Sequence, residues 1–335
     1  VKKIVILLSI VLVVALTGSF VACPSQGPVV LKMASSALFE YGEVEQAFAD
    51  AFNERCGPDY TIEYYGAEQM LSFGELLDGV RTGAADMGAI TPSAHSADEP
   101  KLGANELPFL FNNINAHIEA VPELAPLLDG ILQDKFNQKL LCLHNYTAVE
   151  MISTKPVKTL EDWDGLLVQA ISPSTAALIE AMGGAPVTGV PYTESYSILE
   201  KGTVEAVITA PAAMRIFGLT DVAKYMSLSY SVCALHGFSI NLDSWNSLPG
   251  SVQNIMLEEA QKTSDEIDEW LKGEWENDFA LLADAGADIY TVPQSEIDRW
   301  KTACQPLIDS KMAEYGDFGA QVMAIADAAN AKYPR

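Results

Sequence analysis

The sequence predicts an α/β protein of two lobes with one long helix crossing both. Three observations carry this prediction. Short apolar runs of strand length alternate with helical patterns from residue 29 onward, the alternation restarts after residue 165, and one helical pattern over 249–285 exceeds an ordinary globular helix. Alternation of this kind lays helices over a largely parallel sheet.

Each element has a local reason. Residues 29–34, VVLKMA, form an apolar run of strand length, and Val44, Phe48, Ala51 and Phe52 then recur at helical spacing within 42–55. Residues 60–65 alternate and are β-branched and aromatic, residues 73–81 form an amphipathic helix ended by Gly83, and residues 86–90 return to strand. The second series runs strand 139–145, strand 166–170, helix 174–182 stopped by Gly183-Gly184, strand 186–190, helix 195–201 and strand 204–208. Residues 238–241 read as a strand returning to the first lobe, and the 249–285 helix is long enough to span both.

The N-terminal segment is of another kind. Lys2 and Lys3 precede an apolar stretch over 4–16, the head and body of a secretory signal, too short and too early to span a membrane. Phe20-Val21-Ala22-Cys23 approximates the bacterial lipobox, with Phe20 where leucine is usual, so Cys23 is the expected site of lipid attachment. This divides the chain into a signal over 1–22, a tether over 23–28, lobe I over 29–146 plus about 235–275, lobe II over 147–234 plus about 276–306, and a C-terminal helical segment over 307–335. The expected location is the periplasm or cell surface, with membrane contact only through the lipid. A formal charge of −25, from 45 acidic and 20 basic residues, argues against nucleic acid or an anionic membrane surface as partner. Cys56, Cys142, Cys233 and Cys304 show no metal-binding spacing, and three disulfide connectivities stay open for them.

Six motifs in one order then carry a resemblance: ELLDGVRTGAADM (75–87), ELPFLF (106–111), KPVKTLEDWDG (155–165), PYTESY (191–196), GTVEA (202–206) and WNSLP (245–249). Across nearly the whole chain after the signal, the sequence resembles the DctP-like binding proteins of tripartite ATP-independent periplasmic (TRAP) transporters. The resemblance implies a two-lobed periplasmic-binding-protein fold that closes on a small organic ligand, TRAP-type permease subunits as partners, and no catalysis; no cofactor or metal site is expected from the residues, and whether a metal ion assists binding stays open.

The pocket positions depart from the family. Where relatives resemble one another in carrying a carboxylate-binding arginine on a GLKIRVP-like strand, this chain reads GLLVQA and places Gln169. A second arginine position falls on Val149, and the asparagine of an ENP-like segment falls on Thr209. Tyr192 and Tyr196 match a segment lining the pocket, and Phe73 and Thr91 match first-lobe positions that face ligand in some relatives. Arg215, just beyond Pro211, is the nearest candidate cation, and His236 lies near the crossing strand. A buried carboxylate without a charged partner costs several kcal/mol, so the expected ligand is neutral or largely apolar. The alternatives are an organic acid held by Arg215 and a lipoprotein interaction module with no transported ligand. An enzyme reading has only Cys142 and His144, two apart on a predicted strand and so on one face, to support it.

Overall fold

In the computed structural model, which describes residues 27–37 and 39–335, strand and helix alternate from the first element. The signal segment, Cys23 and most of the tether lie outside the described residues. The first series is β1 (Val29–Ala34), α1 (Phe39–Cys56), β2 (Tyr60–Tyr65), α2 (Leu76–Thr82), β3 (Met87–Ile90), α3 (Ile114–Phe136) and β4 (Gln138–Ser153). The second is β5 (Leu167–Gln169), α4 (Pro173–Ala181), β6 (Ala185–Val187), α5 (Ser195–Glu200), β7 (Ala206–Thr209), α6 (Pro211–Ile216) and β8 (Tyr225–Asn241). The chain finishes with α7 (Leu242–Ser247), α8 (Gly250–Asp284), β9 (Asp288–Thr291), α9 (Gln294–Tyr315) and α10 (Asp317–Lys332).

Local chemistry explains most boundaries. Gly83 ends α2 in the left-handed region at φ 76°, where glycine alone carries no Cβ penalty. Ser172 caps α4 by accepting from the Thr175 amide at 3.2 Å, with Pro173 at the first helical position. Residues 73–75 form a 3-10 turn before α2 rather than its first turn. The largest element that the sequence reading leaves unassigned is α3. Its buried residues Ala116, Ala120, Leu124, Leu128 and Leu132 recur at four-residue spacing, but Pro122 and Pro126 inside it read as breakers.

Two strands organise the sheet. The expected strands 139–145 and 238–241 are only parts of β4 and β8, which run 16 and 17 residues and pair antiparallel from Gln138↔Asn241 to Ser153↔Tyr225. The sheet has nine strands among the described residues, in the order β2-β1-β3-β8-β4-β7-β5-β6 with β9 on the other side of β8's first half. β3 pairs with the C-terminal half of β8, Met87↔Ile240 to Ile90↔Gly237, while β7 pairs with the C-terminal half of β4, Glu150↔Thr209 to Ser153↔Ala206. Because β4 and β8 are antiparallel, those halves lie at opposite ends of the ribbon. We propose that these two ends are the cores of the two lobes, joined by the ribbon between them.

The ribbon is irregular in its middle. Register shifts fall between Leu140 and Cys142, Asn145 and Thr147, and Val149 and Met151. At the last of these, β8 loops outward through Ser229 and Tyr230, with Tyr230 at φ 50°. The amides freed there are not left bare: the buried Glu150 carboxylate accepts from Ser229 N at 2.7 Å and Tyr230 N at 3.0 Å. The Arg335 guanidinium donates to the carbonyls of the same two residues.

Helix α8, 35 residues long, crosses both lobes as the sequence predicts. Near its start Glu258 and Glu259 hold Arg55 of α1, and near its end Asp278 holds Arg215 of α6 at 2.8 Å. Between them, Ser264 donates to Leu143 O at 2.9 Å and Asp268 accepts from Asn145 N at 3.0 Å, pinning the helix to the ribbon.

Two outcomes follow from this packing. A Cβ on Gly237 stands 2.3 Å from the Cys142 carbonyl oxygen, so Gly237→Ala forces the ribbon apart; denaturant unfolding should show a loss of about 2 kcal/mol or more. Glu106 is buried with only the Ser93 hydroxyl donating to it, and burial pushes its pKa up to about 7. A carboxyl raised in the folded state contributes stability that is complete below its unfolded pKa and is lost as pH rises through 7. Glu106→Gln should therefore gain melting temperature relative to the parent as pH rises from 5 to 8; a pH-independent difference would contradict this.

Candidate functional site

The first-lobe wall of the candidate cleft begins at the carboxyl ends of β1 and β3, where open α/β sheets place their ligands. Ser35 follows β1, and Thr91 follows β3. Thr91 Oγ1 lies 3.0 Å from His236 Nδ1 on β8, and His236 Nε2 lies 3.2 Å from Glu45 Oε1 on α1. Tyr146, just past the first central bulge of β4, stacks on His236 with ring centroids 5.1 Å apart, and Tyr41 donates to its carbonyl. Glu68 accepts from the Phe73 amide at 2.8 Å, which places the half-buried Phe73 beside a carboxylate.

The second-lobe wall comes from the ends of β5, β6 and β7. Gln169, with 0 % of its surface exposed, spends its whole amide locally. Its Nε2 donates to Val190 O and Pro191 O at 3.3 Å each, and its Oε1 accepts from the Ser195 hydroxyl at 2.7 Å. It thereby fixes the segment that presents Tyr192. Tyr192 meets Phe217 edge to face at 5.9 Å. Across the gap, burial and then the charge of Glu68 raise the Tyr192 hydroxyl, and burial and then Tyr192 raise that of Tyr146. Glu68 and Tyr146 thus lie within electrostatic reach of Tyr192.

The structure brings some of the expected residues together and separates others. Thr91 and His236 are bonded, and Gln169 supports Tyr192. Thr209 is buried at the end of β7 opposite Glu150. Val149 is buried among lobe II core residues such as Val232 and Trp163. Tyr196 packs half-buried against the core that holds Ile198, Leu199 and Met214. Arg215, 29 % exposed, is engaged by Asp278. Sequence reasoning missed Tyr146, Glu45 and Glu68. Tyr146 was legible in principle as an aromatic within an apolar strand run, whereas Glu45 resembles any solvated helix acid.

Cys142 and His144 are both buried, and burial pushes the thiol up to about 12 and the imidazole down to about 3. A reactive thiolate needs the reverse. The four cysteines of the described residues are unbonded, and no group of three or more His, Cys, Asp or Glu there is placed to hold a metal ion. Two surface grooves of about 900 and 600 Å³ lie against α8, on the side of Leu141, Gln261 and Asp265; neither includes a residue of the cleft.

This cleft can be set beside known proteins. The family described as DctP, bacterial extracellular solute-binding protein family 7, matches residues 32–315. The chain belongs to this family. It is therefore a solute-binding protein of the TRAP type, and no helix of the described residues is long and apolar enough to cross a membrane. It is similar to the C4-dicarboxylate-binding periplasmic protein DctP of Rhodobacter capsulatus, 25% identical over 279 residues that cover 81% of each chain. Its fold is similar to that of DctP7, a Bordetella pertussis extracytoplasmic solute receptor binding pyroglutamic acid, with a TM-score of 0.83, 20% identity, and 89% of this chain and 99% of that one covered. A Chromohalobacter salexigens TRAP solute-binding protein with bound D-glucuronate gives a TM-score of 0.82 at 21% identity, covering 89% and 99%.

Gln169→Leu should strip the Val190 carbonyl of its side-chain donor, while Ser195 keeps its bond to Tyr192 O at 2.6 Å and Pro191 O keeps the Glu194 amide at 3.0 Å. The expected loss is about 2 kcal/mol in denaturant unfolding, together with greater mobility of residues 190–192 in hydrogen exchange.

Proposed function

We propose that this solute-binding protein captures an uncharged small organic molecule between its lobes and passes it to TRAP-type permease subunits, while a lipid on Cys23 holds it at the membrane. The observation that supports an uncharged ligand is the state of the two groups best placed to hold a carboxylate. Gln169 replaces a cation by a neutral amide already committed to its own lobe. Arg215 is held by Asp278, so turning it to an anion means breaking that pair. A ligand carboxylate in this cleft therefore meets a desolvation cost of several kcal/mol, comparable with the whole free energy of a micromolar complex.

A second reading is an organic acid, favoured by the relatives' ligands, pyroglutamic acid and D-glucuronate. The two readings differ in one panel. Thermal stabilisation by neutral polyols, amides or aromatic compounds, with none from C4-dicarboxylates, pyroglutamate or glucuronate, supports the first. Micromolar binding of a simple carboxylate that Arg215→Ala abolishes supports the second and removes the first. Cys23→Ser should move the protein from the membrane fraction to the soluble fraction, since anchoring needs the acyl chains.

A further inference from the structure

Four side chains form one line across lobe I. Tyr64 donates to Glu45 Oε2 at 2.7 Å, Glu45 Oε1 lies 3.2 Å from His236 Nε2, and His236 Nδ1 lies 3.0 Å from Thr91 Oγ1. The Thr91 end of the line follows the carboxyl end of β3 at the candidate cleft. Glu45, His236 and Thr91 are each at least 92 % buried, so water does not scramble the order of the bonds.

The direction of such a line is set by the one member that cannot donate. An ionised carboxylate only accepts. With Glu45 as a carboxylate and His236 carrying a single proton, Tyr64 points its proton inward and His236 does the same from Nε2. A neutral imidazole with its proton on Nε2 is an acceptor at Nδ1, so the Thr91 hydroxyl proton also turns inward. Thr91 is left with lone pairs and no proton to offer. Stacking of Tyr146 on His236 holds the ring in the plane this requires.

We propose that Thr91 is a specificity-determining residue that acts on the ligand only as a hydrogen-bond acceptor, through a proton order imposed by Glu45 across His236. Such a position selects a ligand hydroxyl, amide N–H or ammonium and rejects a carboxylate oxygen, which would set lone pairs against lone pairs. This deepens the proposed function and rests on its reading of the cleft. It also gives the rejection of carboxylates a source separate from Gln169.

The order is readable without a ligand. Long-range ¹H–¹⁵N correlation should show His236 as the Nε2–H tautomer, and Glu45→Gln, whose amide can donate to Nε2, should flip it to Nδ1–H. The flipped ring donates to Thr91 and turns its proton toward the cleft. Binding is read with two probes of one shape, D-glucuronamide and D-glucuronate. Glu45→Gln should move the ratio of their affinities toward the acid by about tenfold; Thr91→Val should abolish the discrimination and Thr91→Ser restore it. An Nδ1–H tautomer or a doubly protonated imidazolium in the parent protein overturns the proposal whatever binds, as does an unchanged probe ratio once the tautomer has flipped. If neither probe binds any variant, that counts against the ligand class proposed above, and the tautomer of the parent protein decides the present proposal alone.

Discussion

The antiparallel pairing of β4 with β8 is the constraint on which the rest of the molecule depends. No other pair of strands reaches both ends of the sheet among the described residues. β3 is placed by β8 and β7 by β4, so each lobe's parallel strands are built outward from one half of the same ribbon. The ladder therefore sets which strand ends of the two halves stand beside one another. A slip of one residue would turn every side chain to the other face, and would carry His236 and Tyr146 away from the ligand space together.

A ribbon this long must bend to leave a cleft, and bending frees backbone groups that burial then makes costly. The structure meets that demand with charged side chains at two of the three irregular points. Glu150 accepts the two amides of the outward loop in β8, Arg335 caps the two carbonyls beside them, and Asp268 takes the Asn145 amide from the other face. Burial pushes Glu150 up to about 7 and Asp268 to about 6, so groups that hold the bend are themselves held away from their usual carboxylate range. The bend is thus held in part by a few partly compensated charges beside the apolar packing of Val149, Met151 and Val232.

The sequence made the parallel strands and α8 legible because both rest on periodicity: short β-branched runs bounded by glycine, and a long helical pattern without a breaker. It hid the length of β4 and β8, because their middles hold His144, Asn145, Thr147, Ser229 and Ser231, polar residues whose strand conformation comes from burial between lobes and not from local preference. It hid α3 behind two prolines that tertiary packing tolerates. At the cleft, residues at strand ends such as Thr91 and Gln169 could be picked out, but their partners could not. Glu45 lies 191 residues from His236 and 19 from Tyr64, and only the fold joins them.

That separation bears on how the cleft divides its work. The hydrogen-bonding groups proposed to orient the ligand, Thr91 and His236, belong to one line fixed inside lobe I and cannot adjust without disturbing Glu45. Lobe II contributes Tyr192 and Phe217, an aromatic face whose position is set by the Gln169 amide and whose contacts are not directional. Each 100 Å² of apolar ligand surface covered by that face yields on the order of 2.5 kcal/mol. On the proposed reading, closure is driven by this covering, and the orientation of what is covered is left to the hydrogen-bonding wall. A receptor of that kind would discriminate by donor and acceptor pattern on one wall and by shape on the other, so a compound that satisfied only one wall would bind without closing the cleft.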